Sequence, residues 1–100
     1  MMQVDRHTIA QAVSEYAPLY GVLRAYLFGS YARDEADERS DVDICIECDE
    51  GFTLFSLGGF AQHLEDTLGL SVDVVCGEDS FYPRTFARYQ EDKVLLYEKS

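Results

Sequence analysis

Apolar positions in this chain recur with two different periods, and the changeovers between them mark the elements. Ile9, Ala12, Val13 and Tyr16 repeat at helical spacing behind Asp5, which is placed to cap a first helix that Pro18 is expected to stop. Tyr20-Gly21 then turns the chain into Val22–Phe28, an apolar run with Arg24 as its one charge. Such continuity predicts a strand covered on both faces. Gly29-Ser30 ends that strand, and a short helix is expected from Tyr31 to about Ala36. Residues 34–40, DEADERS, offer no apolar anchor and read as a solvated loop or a frayed helix end. A second strand is predicted over Val42–Glu47, with Cys48–Gly51 leading out of it.

Farther on, Leu57, Phe60, Ala61, Leu64 and Leu68 fall on one stripe of a helix running from Thr53 to Leu68, with Gly69 and Leu70 fitting its C-cap. Ser71–Val75 reads as a third strand, Glu78–Ser80 as a turn, Tyr82-Pro83-Arg84 as the entry to a short helix reaching Tyr89, and Lys93–Glu98 as the last strand. Helices alternating with strands in this order predict an α/β (α+β) domain, a small mixed sheet of about four strands with helices packed on it. Residues 1–100 read as one domain, because so short a chain leaves no room for a second core.

Two carboxylates stand out against this pattern. Side chains alternate along a strand, so Asp41 and Asp43 project from one face while Val42 and Ile44 project from the other. Carboxylates held that close repel each other and tend to take up a proton or a cation. Mg²⁺ suits them, being a hard ion usually held by one or two carboxylates together with substrate phosphates. Gly29 lets backbone approach a ligand closely, and Ser30 adds a hydroxyl at an expected helix start where N–H groups attract anions. Arg33, three residues on, can reach phosphate oxygens or form a surface salt bridge with Asp37 or Glu38. Asp73 interrupts an apolar strand, where a charge is costly unless it is paired, metal-bound or turned to water. It belongs either on an edge strand facing solvent or opposite Asp41 and Asp43 as a third carboxylate.

Composition narrows the partners. The net charge is −11, with acidic residues crowded between Asp34 and Glu50. Such a surface repels a long polyanion, and no Lys/Arg stripe offers nucleic acid a footprint, which argues against a template-directed polymerase. A nucleotide arriving as a metal complex is compatible, and so is a basic protein partner. No apolar run approaches the roughly 18 residues of a membrane span, and the N-terminus lacks a long apolar core, so a cytoplasmic protein is expected. Cys45, Cys48 and Cys76 make no complete zinc set and read as buried or reduced structural thiols. His7 and His63 have no ligand-like spacing, and Arg84 and Arg88 lie four apart on a helix face suited to phosphate, a partner or the acidic surface.

Gly29-Ser30-Tyr31-Ala32-Arg33 followed by Ser40-Asp41-Val42-Asp43-Ile44 resembles the signature of the polymerase-beta-like nucleotidyltransferases, and specifically of the minimal nucleotidyltransferases, the MntA-type antitoxins. The likeness extends over nearly the whole chain. It implies two Mg²⁺ ions at Asp41, Asp43 and Asp73, triphosphate held by Gly29, Ser30 and Arg33, and Asp73 as general base. It implies ATP as substrate, a HEPN-domain toxin as partner, and transfer of AMP to a tyrosine of that toxin. The preference for adenine rests on the resemblance alone. Two other readings stay open: an antitoxin that blocks its toxin by contact, and a nucleotidyltransferase acting on a small hydroxylated molecule such as an aminoglycoside. One departure is evident, since Asp34 stands where the family often has Gly.

Overall fold

The computed structural model describes residues 4–37, 39–77 and 83–99, with backbone alone over 83–86. Its elements follow the order α1 (Arg6–Tyr20), β1 (Val22–Phe28), β2 (Val42–Cys48), α2 (Leu54–Leu68), β3 (Val72–Cys76), α3 (Pro83–Asp92) and β4 (Val94–Glu98). The strands form one sheet in the order β3-β2-β1-β4. β1 pairs antiparallel with β2 and β4, and β2 pairs parallel with β3. This is the expected mixed four-stranded sheet.

Both long helices are closed at each end by their own sequence. Asp5 accepts a hydrogen bond from the Thr8 N–H at the start of α1, and Gly21 closes it in the left-handed region, its N–H donating to the Ala17 carbonyl. Thr53 and Ser56 make a reciprocal capping box on α2, which Gly69 ends in the same way. Pro18 does not stop α1. The missing proline N–H deletes one bond in the last turn only, and the helix continues to Tyr20.

The two helices pack against each other and cover one face of the sheet. Ile9 and Val13 of α1, Phe60 and Leu64 of α2, and Leu27, Val42, Ile44 and Ile46 of the strands are fully buried there. The Tyr20 ring lies over Gly59, where a Cβ would come within 2.8 Å of it, and its hydroxyl pairs with Nδ1 of His63 at 2.7 Å. His63 thus takes a structural place between the helices.

β1 is central in the sheet, yet only one of its faces is closed over. Arg24 is exposed, and Tyr26 and Phe28 are half-buried. Arg24 is answered by Glu98 at 2.9 Å on one side and Glu47 at 3.2 Å on the other. Tyr89 of α3 meets Phe28 edge-on, with ring centres 5.4 Å apart, and Lys93 lies over the Tyr26 ring. The second face is therefore covered locally, which corrects the expectation of two closed faces.

α3 runs three residues beyond Tyr89. The turn expected at Glu78–Ser80, Tyr82, and the side chain of Arg84 lie outside the described residues. Among the described residues, no helix is long and apolar enough to cross a membrane.

Candidate active site

The helix expected from Tyr31 to Ala36 is absent, and a single turn stands in its place. Arg33 N–H donates to the Gly29 carbonyl, Asp34 N–H to Tyr31, and Glu35 N–H to Ser30 at 2.9 Å. Asp34 has φ +61°, the only positive value outside glycine among the described residues. This is the six-to-one closure that ends helices, made after one turn because Asp34 adopts the left-handed conformation usually given to Gly. The departure at this position therefore keeps the geometry that glycine would supply, since Asp tolerates the conformation better than most residues. With one turn in place of a helix, little macrodipole remains to attract an anion.

The turn is fixed from beneath. Tyr31 and Ala32 are buried in the main core. Arg6 reaches across from α1 and donates to the Tyr31 carbonyl at 3.3 Å and the Ala32 carbonyl at 2.6 Å. Sequence reasoning gave Arg6 no role, because nothing local to residue 6 signals a partner 25 residues away.

The carboxylates are placed by the ladder between β2 and β3. Val42 pairs with Val72, Asp43 with Asp73, and Ile44 with Val74. Val42 and Ile44 are fully buried, each contributing roughly 1.5–3 kcal/mol. A slip of one residue would bury Asp43 in their place, so their burial sets which face carries the acids. Asp43 is half-buried, while Asp41 and Asp73 are exposed. β3 is an edge strand on which Asp73 is exposed, and the ladder aligns Asp73 with Asp43.

Asp43 leans against the turn. A Cβ at residue 29 would collide with its Oδ2, and Gly29 has φ +75°, so this position requires glycine both for space and for conformation. The Asp43 carboxyl is pushed up to about 6, first by burial, then by the charges of Asp73 and Asp41, with Arg33 partly opposing them. That is the condition of an acidic cluster short of positive charge.

Arg33 is closer to carboxylates than its expected role implies. Its Nε donates to Glu35 at 3.0 Å and its Nη1 to Asp92 of α3 at 3.1 Å. The partner is not Asp37, because the turn sends the side chain toward α3; the alternative anticipated at Glu38 lies outside the described residues. Arg88 also approaches Asp92, at 3.7 Å. Phe28, Gly29, Arg33, Arg88, Tyr89 and Asp92 line a cavity of about 240 Å³ beside the turn. A second hollow, of about 180 Å³ between Arg6, Tyr31 and Asp37, includes none of the three carboxylates.

Hard oxygen donors in an uncompensated negative field suit Mg²⁺ or a similar hard ion. Among the described residues, no three His, Cys, Asp or Glu side chains converge into a ready-made cage. The fit is one of donor chemistry and field, with Asp43 central to both.

The model of the nucleotidyltransferase domain family matches residues 7–97. A Methanocaldococcus jannaschii protein with the provisional name protein adenylyltransferase is 50% identical over 56 residues, covering 56% of this chain and 60% of that protein. Protein adenylyltransferase MntA of Thermococcus cleftensis is 45% identical over 56 residues, covering 56% and 57%. These alignments span less than two thirds of either relative. A solved structure described, also provisionally, as a minimal nucleotidyltransferase superposes with a TM-score of 0.77 at 32% identity, covering 94% of this chain and 98% of that one. A toxin–antitoxin structure with AMP-PNP gives 0.73 at 20% identity, covering 91% and 74%. The tri-AMPylated Shewanella oneidensis HEPN toxin in complex with MNT antitoxin gives 0.68 at 19%, covering 94% and 73%. At such identities the last two show likeness of fold alone.

Proposed function

We infer that this chain, which belongs to the nucleotidyltransferase domain family, transfers AMP from ATP to a hydroxyl group of a protein partner, acting as a single catalytic domain. The observation that carries this reading is the pairing of Asp43 with Asp73 across β2 and β3, directly beside the Gly29 turn. An acidic pair abutting a glycine turn brings together a cation seat and a phosphate seat.

Each residue then has a task. Gly29 and Ser30 receive the triphosphate along the turn, and Arg33 binds its oxygens after exchanging Asp92 for phosphate. Asp41, Asp43 and Asp73 would hold Mg²⁺, which supplies charge neutralisation at the phosphates and, as two ions, at the entering and leaving oxygens. Asp73, on the exposed edge strand, takes the proton from the acceptor hydroxyl. The acceptor oxygen forms a bond to the α-phosphorus as the bond to the bridging oxygen breaks, and pyrophosphate leaves. The cavity between Phe28, Arg88 and Tyr89 seats the nucleoside.

The relatives named protein adenylyltransferase support a protein acceptor. The similar fold in a HEPN toxin–MNT antitoxin complex supports a HEPN-domain partner and an antitoxin role; a tyrosine hydroxyl as acceptor is what the resemblance to the MntA-type antitoxins implies. A net charge of −11 suits a basic partner. ATP as substrate is in keeping with a cytoplasmic protein. A second reading, inhibition by contact without transfer, draws on the engagement of Arg33 by Glu35 and Asp92.

Intact-mass analysis separates them. The protein is incubated with its co-expressed partner, ATP and Mg²⁺, beside an Asp41→Ala/Asp43→Ala control. Addition of one or more AMP units that the control lacks is the expected result. A tight complex with no added mass would leave contact inhibition as the function.

A further inference from the structure

Cys48 and Cys76 stand at the opposite ends of β2 and β3 from the carboxylates. Their sulfurs lie 2.7 Å apart although 28 residues separate them in sequence. Backbone bonding brings these strand ends together: Cys76 pairs with Ile46, and Gly77 N–H donates to the Ile46 carbonyl at 2.9 Å. By alternation Cys48 shares a face with Val42, Ile44 and Ile46, while Cys45 points to the other. Cys45 is buried, Cys48 half-buried and Cys76 exposed.

We propose that Cys48 and Cys76 are a disulfide-forming pair that clasps edge strand β3 to β2 when the protein meets a small oxidised disulfide such as oxidised glutathione. Cys76, the accessible sulfur, attacks as thiolate and forms a mixed disulfide, while half of the small molecule leaves as thiolate and takes up a proton. Cys48 then gives its proton to solvent and attacks Sγ of Cys76, forming the Cys48–Cys76 bond and expelling the second small thiol. One small disulfide is reduced to two thiols as two protein thiols are oxidised, and no other reactant is needed.

The environment makes the bond slow to form and hard to undo. Burial first, and then the hydrogen bond with Cys76, pushes the Cys48 thiol up to about 12. A thiol that basic is a poor leaving group, so reduction by exchange is disfavoured once the bond exists. Edge strands are the part of a sheet most free to detach, and β3 is the edge that carries Asp73.

The test equilibrates the full chain with graded mixtures of reduced and oxidised glutathione, blocks remaining thiols by alkylation, and maps the linked peptides. A single Cys48–Cys76 bridge is expected, with a melting temperature raised by roughly ten degrees over the reduced protein. Cys45→Ala should retain the bridge, and Cys48→Ser should stop at a mixed disulfide on Cys76. Alkylation of both thiols in the most oxidising mixture, or a bridge that uses Cys45, would overturn the proposal. Because the readout is linkage and melting, its failure is separate from any failure of nucleotidyl transfer.

Discussion

Asp43 lies directly beside Asp73 in the parallel ladder, two carboxylates on one face of neighbouring strands. In the metal-free protein, burial first and then the charges of Asp73 and Asp41 make ionised Asp43 costly, and its carboxyl is raised accordingly. With its ordinary value at 3.8 and its folded value at about 6, the folded state holds the proton more tightly than the unfolded chain. The benefit of that proton is complete below the unfolded value and disappears as pH rises through the folded one. Metal-free protein should therefore lose stability between about pH 4 and 6 relative to Asp43→Asn, as followed by thermal melting across pH. At pH 7 the variant should melt higher than the parent, while its nucleotidyl transfer is abolished.

Added Mg²⁺ or Mn²⁺ should reverse the difference. An ion that binds only the folded state stabilises it in proportion to its occupancy. The parent is expected to melt progressively higher as the ion is titrated, and Asp43→Asn to show little response. Equal shifts in both proteins would remove Asp43 from the cation seat.

Gly29→Ala tests the contact between turn and carboxylate. The left-handed backbone costs an alanine about 1–2 kcal/mol, and its Cβ must also displace Oδ2 of Asp43. Urea denaturation should show a loss of about 2 kcal/mol. Transfer should fall by roughly 100-fold or more, as misplacement of a reacting group by about 1 Å commonly does.

Asp34 offers the opposite case, a position where glycine should help. Asp34→Gly removes the left-handed penalty at a solvent-exposed site, although it also frees the unfolded chain, so a net gain of about 0.5 kcal/mol is expected. Asp34→Val should cost more than about 1 kcal/mol, since a β-branched residue fits this conformation poorly. Both are measured by urea denaturation, and equal stabilities would show that the turn is not closed this way in solution.

Asp92 and phosphate compete for Arg33. Asp92→Asn keeps the shape of the side chain and weakens its hold on the guanidinium, so the KM for ATP should fall several-fold with kcat little changed. Arg33→Ala should raise KM instead. A rise in KM for Asp92→Asn would mean that Asp92 orients Arg33 for phosphate and does not compete with it.

Sequence alone determined the two long helices, the strands and the kinds of atoms at the candidate site, but not the one turn that replaces the helix expected after Ser30. Apolar periodicity gave both long helices and all four strands, because burial of one face is a local demand written at spacings of two or of three and four residues. The same alternation put Asp41 and Asp43 on one face before any strand was paired. What lay beyond it depended on contacts between distant residues. Only the register of β2 with β3 made Asp73 the neighbour of Asp43. Only the approach of α3 gave Arg33 to Asp92, and only the packing of α1 under the turn gave Arg6 its carbonyls. The one-turn closure at Asp34 was hidden for a different reason: a left-handed aspartate has no apolar period to announce it, and its conformation is settled by the hydrogen bonds it completes. The paired thiols of Cys48 and Cys76 belong with these, since a cysteine's partner is chosen by the sheet that aligns the strands and is not written in the spacing along the chain.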